Sequence, residues 1–304
     1  MNALQKDLLA WYEEQGRSWL PWRSTRDPYK ILVSEFMLQQ TQVDRVLPKY
    51  GAFIERFPTV AALAAASTAD VLREWKGLGY NSRAVRLKAI AQTVSAQFSG
   101  VMPREREALL ALPGVGAYTA AALAAFAFDE DDLAPDTNVR RVTHRTLYGL
   151  EYPAKAPAPE LDAAGKHLVP RGRGHDWNSA LMDLGATICT ARAPKCLICP
   201  VRRSCNASPV DAAQLELLRS RFASKRSPQE AIPFVQTTRF ARGRIVDRLR
   251  ELAPGSGMSL FDLHRDLRAV LPPESLGGME NTLKALERDG IVRREGESFA
   301  LTEE

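Results

Sequence analysis

The spacing of apolar and polar residues over the first two thirds of the chain is that of a helical protein. From residue 4 to about 205, segments with apolar residues every three or four positions alternate with short breaks at Pro, Gly or Ser. No series of strands and no G-x-G-x-x-G fingerprint interrupts them. We therefore predict an all-α region with helices at 4–16, 29–41, 43–55, 58–65, 68–76, 82–97, 105–111, 116–128, 137–149, 158–168 and 176–188.

The pattern changes beyond residue 207. Residues 208–235 mix Pro, Ser, Ala and charged residues, which predicts a linker. Three helical segments and two short apolar segments follow, at 239–252, 259–271, 277–289, 291–294 and 298–301. This order resembles a winged helix, whose third helix and wing would contact DNA or a protein. The alternative is a small helical tail that only packs against the core.

Composition and charge narrow the class of protein. With 304 residues, 45% of them hydrophobic, the chain has enough material for two or three packed units. No secretory pattern opens it, and no apolar run approaches the roughly 18 residues of a membrane span. We therefore expect a soluble intracellular protein of the cytoplasm or nucleoid. Its 41 Lys and Arg against 36 Asp and Glu favour a polyanionic partner without identifying one.

All four cysteines lie in one short stretch, at Cys189, Cys196, Cys199 and Cys205. An intracellular chain that crowds its thiols together more often binds metal than forms disulfides. Four thiolates in one loop suit a [4Fe–4S] cluster, whereas a zinc ribbon usually pairs two C-x-x-C knuckles and only one is present here. We predict an iron–sulfur cluster with a structural role; zinc and free thiols are the alternatives.

A glycine-containing turn joins two predicted helices at 112–119, with the sequence LPGVGAYT. Gly114 and Gly116 allow a tight turn, and the free N–H groups of the following helix can hold a phosphate. Such a hairpin suits DNA binding without sequence preference. By itself the motif is also compatible with an ordinary helix–helix turn.

Together these features resemble the helix-hairpin-helix glycosylase superfamily, and in particular its A/G-specific adenine glycosylase branch (MutY type). The resemblance runs from about residue 4 to 207 and rests on further motifs that have the order and separation of that family. These are LPWR at 20–23, PYK at 28–30, SEFMLQQTQV at 34–43, GLGY at 77–80 and PDTNVRR at 135–141.

The resemblance implies a fold of two α-helical lobes with DNA between them and the target base flipped into a pocket. One lobe, the six-helix barrel with the hairpin, would comprise 22–132; the iron–sulfur lobe would comprise 1–21 and 133–207. The linker at 208–235 and a winged-helix-like domain at 236–304 would follow. Gln40 and Tyr80 would wedge at the lesion, with Thr41 among the DNA contacts, and Trp22 and Arg23 would line the base pocket.

The implied chemistry uses two carboxylates. Glu35 lies in an otherwise apolar helix, where desolvation should raise its pKa and keep a proton available. We predict that it protonates adenine at N7 and then activates water, although a surface-facing helix end is the alternative. By resemblance, Asp136 stabilises the oxocarbenium ion at the sugar C1′ or bonds to it transiently, and Asn138 and Tyr118 hold the carboxylates and water. From the neighbouring sequence alone, Asp136 is also predicted to be the N-cap of a helix.

Tyr118 bears on strand cleavage, because the bifunctional endonuclease III relatives have at this hairpin position a lysine that forms a Schiff base. No lysine occurs between Lys88 and Lys155, so we predict a monofunctional enzyme. A plain packing role for Tyr118 is the alternative.

Many relatives carry a C-terminal domain resembling a nucleotide-pyrophosphate hydrolase that helps to read 8-oxoguanine, and this sequence has no match to it. Asn81 and Thr137 also stand where the family commonly has Tyr and Gly. We expect a monomer that acts on duplex DNA with a mismatch or an oxidised guanine and has no membrane partner. A thymine or uracil mismatch glycosylase of the same superfamily, and a non-catalytic DNA-binding protein, are the competing hypotheses.

Overall fold

The computed structural model describes residues 1–149, 158–222 and 232–303. The helices of this part are α1 (Ala3–Gln15), α2 (Pro28–Leu38), α3 (Val43–Arg56), α4 (Val60–Ala65), α5 (Thr68–Glu74), α6 (Ser82–Gln97), α7 (Arg106–Ala111), α8 (Ala117–Phe128), α9 (Thr137–Tyr148), α10 (Ala158–Lys166), α11 (Gly174–Thr187), α12 (Ala212–Phe222), α13 (Thr238–Arg250), α14 (Leu260–Leu267), α15 (Pro273–Gly277) and α16 (Met279–Arg288). The strands are β1 (Met258–Ser259), β2 (Val292–Glu295) and β3 (Ser298–Leu301). The predicted all-α character of the first two thirds is confirmed in these residues.

The chain folds into two compact units, each with its own internal packing. Unit 1 comprises Met1–Glu35, Pro103–Ala111 and Val115–Lys225, and unit 2 comprises Phe36–Met102, Leu112–Gly114 and Arg226–Glu304. These units do not test the predicted domain limits at 21/22, 132/133 and 207/208, which stay a prediction.

The core of unit 1 is built around α11, which packs against α1, α8 and α9. Trp177 on α11 is fully buried, and α8 is buried along most of its length because its residues are nearly all Ala, Leu or Phe. Gly185 lets α9 and α11 approach closely, since a Cβ there would lie 2.6 Å from the Cβ of Asn138. This close approach fixes the start of α9, where two predicted site residues lie.

Unit 2 combines α3–α6 with the C-terminal segment, 232–303. The helices α4 and α5 pack against α6, and Phe53 packs edge-to-face with Phe57 and Trp75 at 5.0 and 5.8 Å between ring centroids. In the C-terminal segment, α13 packs against α14, α16, β3 and also α5.

The three strands form an antiparallel sheet in the order β1-β3-β2. Met258 pairs with Phe299 and Val292 pairs with Leu301, so β2 and β3 form the wing of a winged-helix arrangement. Burial of Val292, Phe299 and Leu301 fixes the register, because a shift by one residue would expose them. The winged-helix interpretation of the tail is compatible with this structure.

Three predicted segments differ from the structure. The predicted linker contains α12, because Asp211 caps that helix through the Gln214 N–H and Leu215 is buried; residues 223–231 of the linker lie outside the described residues. The helix predicted at 259–271 ends at Leu267, and α15 follows. The helix predicted at 29–41 ends at Leu38, because Gln40 takes a left-handed backbone conformation with φ 55°.

Within the described residues, no helix combines the length and the hydropathy that a bilayer crossing requires.

Candidate active site

Glu35 lies in the third turn of α2, between apolar residues that are almost completely buried. Its own side chain is 9% exposed, and the Tyr118 hydroxyl hydrogen-bonds to it. Burial raises the pKa of Glu35 to about 7, and the Asp136 charge adds to that rise, whereas the Tyr118 hydrogen bond and the Arg23 charge oppose it. A carboxyl group with this pKa holds a proton in a large fraction of molecules at neutral pH.

Tyr118 occupies the first turn of α8, directly after the hairpin. Burial raises the pKa of Tyr118 well above its usual value, and the negative charges of Glu35 and Asp136 raise it further. The phenol therefore stays protonated and donates its hydrogen to Glu35 rather than accepting one.

Asp136 has a structural and an electrostatic role together. Its carboxylate caps α9 by accepting from the Val139 N–H at 2.6 Å and from Nδ2 of Asn138 at 2.9 Å. Arg141 donates to Oδ1 of Asn138 at 2.8 Å and so fixes the orientation of that amide. The negative charge of the same carboxylate contributes to the raised pKa values of Glu35 and Tyr118.

Arg23 lies close enough to Glu35 for its positive charge to lower the pKa of that carboxyl group. Its side chain is 7% exposed, donates to Oγ of Ser179, lies 3.7 Å from Oδ1 of Asp183 and stacks 5.2 Å from the Phe126 ring centroid. Trp22 is also buried. These contacts place Arg23 beside the carboxylate group, while the lining of a base pocket by both residues stays a prediction.

The hairpin between α7 and α8 has one position that requires glycine. Gly114 has φ +78°, and a Cβ there would lie 3.2 Å from Cδ of Arg86. Gly116 caps α8 without a side chain and with open space around it, so nothing of its own covers the first N–H groups of α8. The N–H groups of such a helix start can donate hydrogen bonds to a phosphate oxygen.

Gln40 and Tyr80, the two predicted wedge residues, are both exposed and both have left-handed backbones, with φ 55° and 47°. Left-handed conformations in residues other than glycine are costly and need support from their surroundings. Thr41 follows Gln40 and is half-buried.

Arg83 supplies that support and was missed by sequence reasoning. Its guanidinium donates to the carbonyls of Phe36, Met37 and Gln39 on one side and of Leu78 and Gly79 on the other, at 2.6 to 3.1 Å, and to Oγ1 of Thr41 at 3.1 Å. It therefore ties the segment that carries Gln40 to the turn that carries Tyr80. Burial lowers the pKa of Arg83 to about 10, which still leaves it charged at neutral pH. The sequence feature that could have indicated a buried arginine is the position of Arg83 four residues before Leu87, on the same apolar face of α6.

The four cysteines line one cavity of unit 1, together with Arg145 and Arg202. Arg145 donates to Sγ of Cys189 at 3.4 Å and to the Thr190 carbonyl at 2.8 Å, so a buried cation lies against the thiol loop. Among the described residues, no three His, Cys, Asp or Glu side chains form a group that could hold a metal ion. What the cavity offers is four soft sulfur atoms along its lining with positive charge beside them.

Residues 33–171 match the family model described as HhH-GPD superfamily base excision DNA repair protein. The chain is 42% identical over 254 residues to adenine DNA glycosylase of Mycolicibacterium smegmatis, covering 83% of this chain and 82% of the relative. The chain belongs to the adenine DNA glycosylase family. Adenine DNA glycosylase of Mus musculus is 40% identical over 232 residues, covering 73% of this chain and 45% of the relative.

Solved structures support the fold. A thermostable thymine-DNA glycosylase superposes with a TM-score of 0.60 at 34% identity, over 66% of this chain and 93% of that one. A trapped endonuclease III–DNA covalent intermediate superposes with a TM-score of 0.58 over 70% of this chain and 95% of that one; at 20% identity it supports the fold alone. The predicted fold class is confirmed. This glycosylase is a DNA-binding enzyme of base excision repair that hydrolyses N-glycosyl bonds, and neither competing hypothesis is favoured.

Proposed function

We propose that this glycosylase is monofunctional and releases adenine paired with 8-oxoguanine or guanine in duplex DNA, acting as a monomer in the cytoplasm or nucleoid. The observation that carries this proposal is the group formed by Glu35, Asp136 and Tyr118. It combines a protonated carboxyl, a carboxylate and a neutral phenol within one unit. Cleavage of a glycosidic bond uses a proton donor for the leaving group and a carboxylate for the positive charge that develops on the sugar.

In the proposed reaction, Glu35 donates its proton to N7 of the flipped adenine, which makes the base a better leaving group. Positive charge then develops at the sugar C1′, where the Asp136 carboxylate stabilises it. Once adenine has left, Glu35 is ionised and accepts a proton from the attacking water. Tyr118 holds Glu35, and Asn138 holds Asp136, so that neither carboxyl group must reorganise during the reaction.

The experiment that tests this function uses four duplexes, with A opposite 8-oxoguanine, A opposite G, T opposite G and U opposite G. We expect breaks at adenine alone, and only after alkali, because Tyr118 cannot form a Schiff base with the sugar. Base release and strand breaks are measured on the same samples with and without alkali. Breaks at T or U would contradict the adenine assignment, and breaks without alkali would contradict the monofunctional assignment.

The cysteine-lined cavity supports a second proposal, that Cys189, Cys196, Cys199 and Cys205 hold a [4Fe–4S] cluster. Four thiolates match the ligands of such a cluster. The positive charge of Arg145, which donates to Sγ of Cys189, would compensate the negative charge of the ligating thiolates. The cluster would hold the 189–205 loop in shape, with Arg202 and Arg203 on it available to phosphates.

Purified protein should therefore contain about four irons and about four sulfides per chain and absorb visible light. Cys199→Ser should lower the iron content and the melting temperature, because a structural cluster contributes to folding as structural metals do. Metal analysis and thermal unfolding check this expectation. One zinc per chain, or a metal-free wild-type protein, would contradict it.

A further inference from the structure

A cavity of about 490 Å³ lies within unit 2, between the 77–82 turn and the helix α13 of the C-terminal segment. Its lining also includes Arg45 from α3 and Phe234 from just before α13. We call it the α13 groove. It brings the C-terminal segment directly against the turn that carries Tyr80.

Arg239 of α13 stacks on Tyr80. Its guanidinium carbon lies 4.0 Å from the centroid of the Tyr80 ring and 5.8 Å from that of Phe234. Stacking engages the face of a guanidinium and leaves its N–H donors free at the edge. Among the described residues, Arg239 has no hydrogen bond and no ion pair through its side chain, and the residue is exposed.

The other arginines of the α13 groove that lie on α13 are paired. Arg242 pairs with Asp289, and both Arg244 and Arg250 pair with Asp247, at 2.6 and 2.7 Å. Arg45, like Arg239, has no ion pair or side-chain hydrogen bond to any described residue and is exposed. The groove therefore presents two uncompensated guanidinium groups beside an aromatic ring.

Arg250 fixes α13 to the turn. It donates to the Leu72 carbonyl at 2.9 Å and to Oδ1 of Asn81 at 2.7 Å, and it is 9% exposed. The side chain of Asn81, which follows Tyr80 directly, serves this contact with the C-terminal segment. Because α13 is anchored beside Tyr80, Arg239 keeps a defined position in the groove.

We propose that the α13 groove binds a phosphodiester of the DNA duplex, with Arg239 and Arg45 as the phosphate-contacting residues. The C-terminal segment is then part of the DNA-binding surface, and Arg239 links phosphate binding to the position of the Tyr80 ring. Two free guanidiniums next to an aromatic ring suit a nucleic acid strand, which offers phosphates and stacking faces together. The proposal rests on the proposed function only in that duplex DNA is the ligand.

The test is the salt dependence of DNA binding by the full-length chain. The dissociation constant for a duplex with a stable abasic-site analogue is measured by fluorescence anisotropy between about 50 and about 200 mM salt. The variants are Arg239→Gln and Arg45→Gln. The matched control is Arg268→Gln, which removes the same charge at an exposed site outside the groove.

Each groove variant should reduce the slope of log Kd against log salt by about 0.9. Between about 50 and about 200 mM salt, the Kd of the variant should therefore rise by a factor about threefold smaller than the Kd of the wild type does. The control should keep the wild-type slope. If both groove variants also keep it, the proposal is overturned. Should Arg239→Gln fold poorly in thermal unfolding, Arg45→Gln decides, because Arg45 lies on α3 and makes no contact that holds α13. Wild-type adenine release is scored separately, so failure of the groove and failure of the proposed function are distinguishable.

Discussion

Glu35→Gln should reduce the rate of adenine release by about 10³-fold or more while leaving DNA affinity close to that of the wild type. Glutamine keeps the size of the side chain and a hydrogen-bond acceptor for Tyr118, but it has no proton to donate to the base. We expect a large loss because Tyr118, which hydrogen-bonds to Glu35, has a pKa raised well above its usual value by burial and so cannot replace Glu35 as the proton donor.

Single-turnover base release and duplex binding measure the two effects separately. Glu55→Gln is the matched control. It makes the same chemical change at an exposed residue of α3 that lies outside the site. A Glu35→Gln enzyme that retained more than about a tenth of the wild-type rate would exclude Glu35 as the proton donor.

Asp136→Asn should slow adenine release by about 10²- to 10³-fold and should lower the stability of the fold less than Asp136→Ala does. Asparagine is as good an N-cap as aspartate, so the hydrogen bond from the Val139 N–H persists, while the negative charge and the hydrogen bond from Nδ2 of Asn138 are lost. This variant therefore separates the two roles that the structure gives to Asp136.

Asp211→Asn provides the comparison, because Asp211 caps α12 in the same way and lies outside the carboxylate group. It should retain both the melting temperature and the rate. Asp136→Ala should differ from Asp136→Asn by the loss of the cap, which costs about 1 kcal/mol of folding free energy. If Asp136→Asn released adenine at the wild-type rate, the charge of Asp136 would have no role in catalysis and the residue would serve only as a helix cap.

Helical periodicity carried most of the fold prediction, because apolar stripes and Pro or Gly breaks are local properties of the sequence. The end of α2 was not predictable in this way. Its last turn is replaced by a left-handed Gln40 because Arg83, more than forty residues later, takes the carbonyl groups of that segment. The helix α12 was missed because the composition around it is that of a linker, whereas the burial of Leu215 that stabilises it is a tertiary contact.

In the candidate site, too, residues with a local sequence signal could be predicted, whereas contacts between distant residues could not. Glu35 could be found because a single carboxylate in an apolar helix is conspicuous, and Asp136 because its motif resembles that of the family. The contact of Arg239 with Tyr80 joins residues about 160 positions apart and leaves no local pattern in either segment. Likewise, no local feature of the sequence indicates that Asn81 accepts a hydrogen bond from Arg250.

The pH dependence of kcat/KM for adenine release tests the central claim most directly, because this parameter reports the ionisation of the free enzyme. A general acid works only in its protonated form, so a Glu35 pKa of about 7 predicts a plateau below that pH. Above it, kcat/KM should fall about tenfold per pH unit. Asp136→Asn should move the midpoint to lower pH, because the charge that helps to raise the Glu35 pKa is gone. A rate that stays constant from pH about 5 to about 9, in the wild type and in Asp136→Asn alike, would contradict the assignment of Glu35 as the acid.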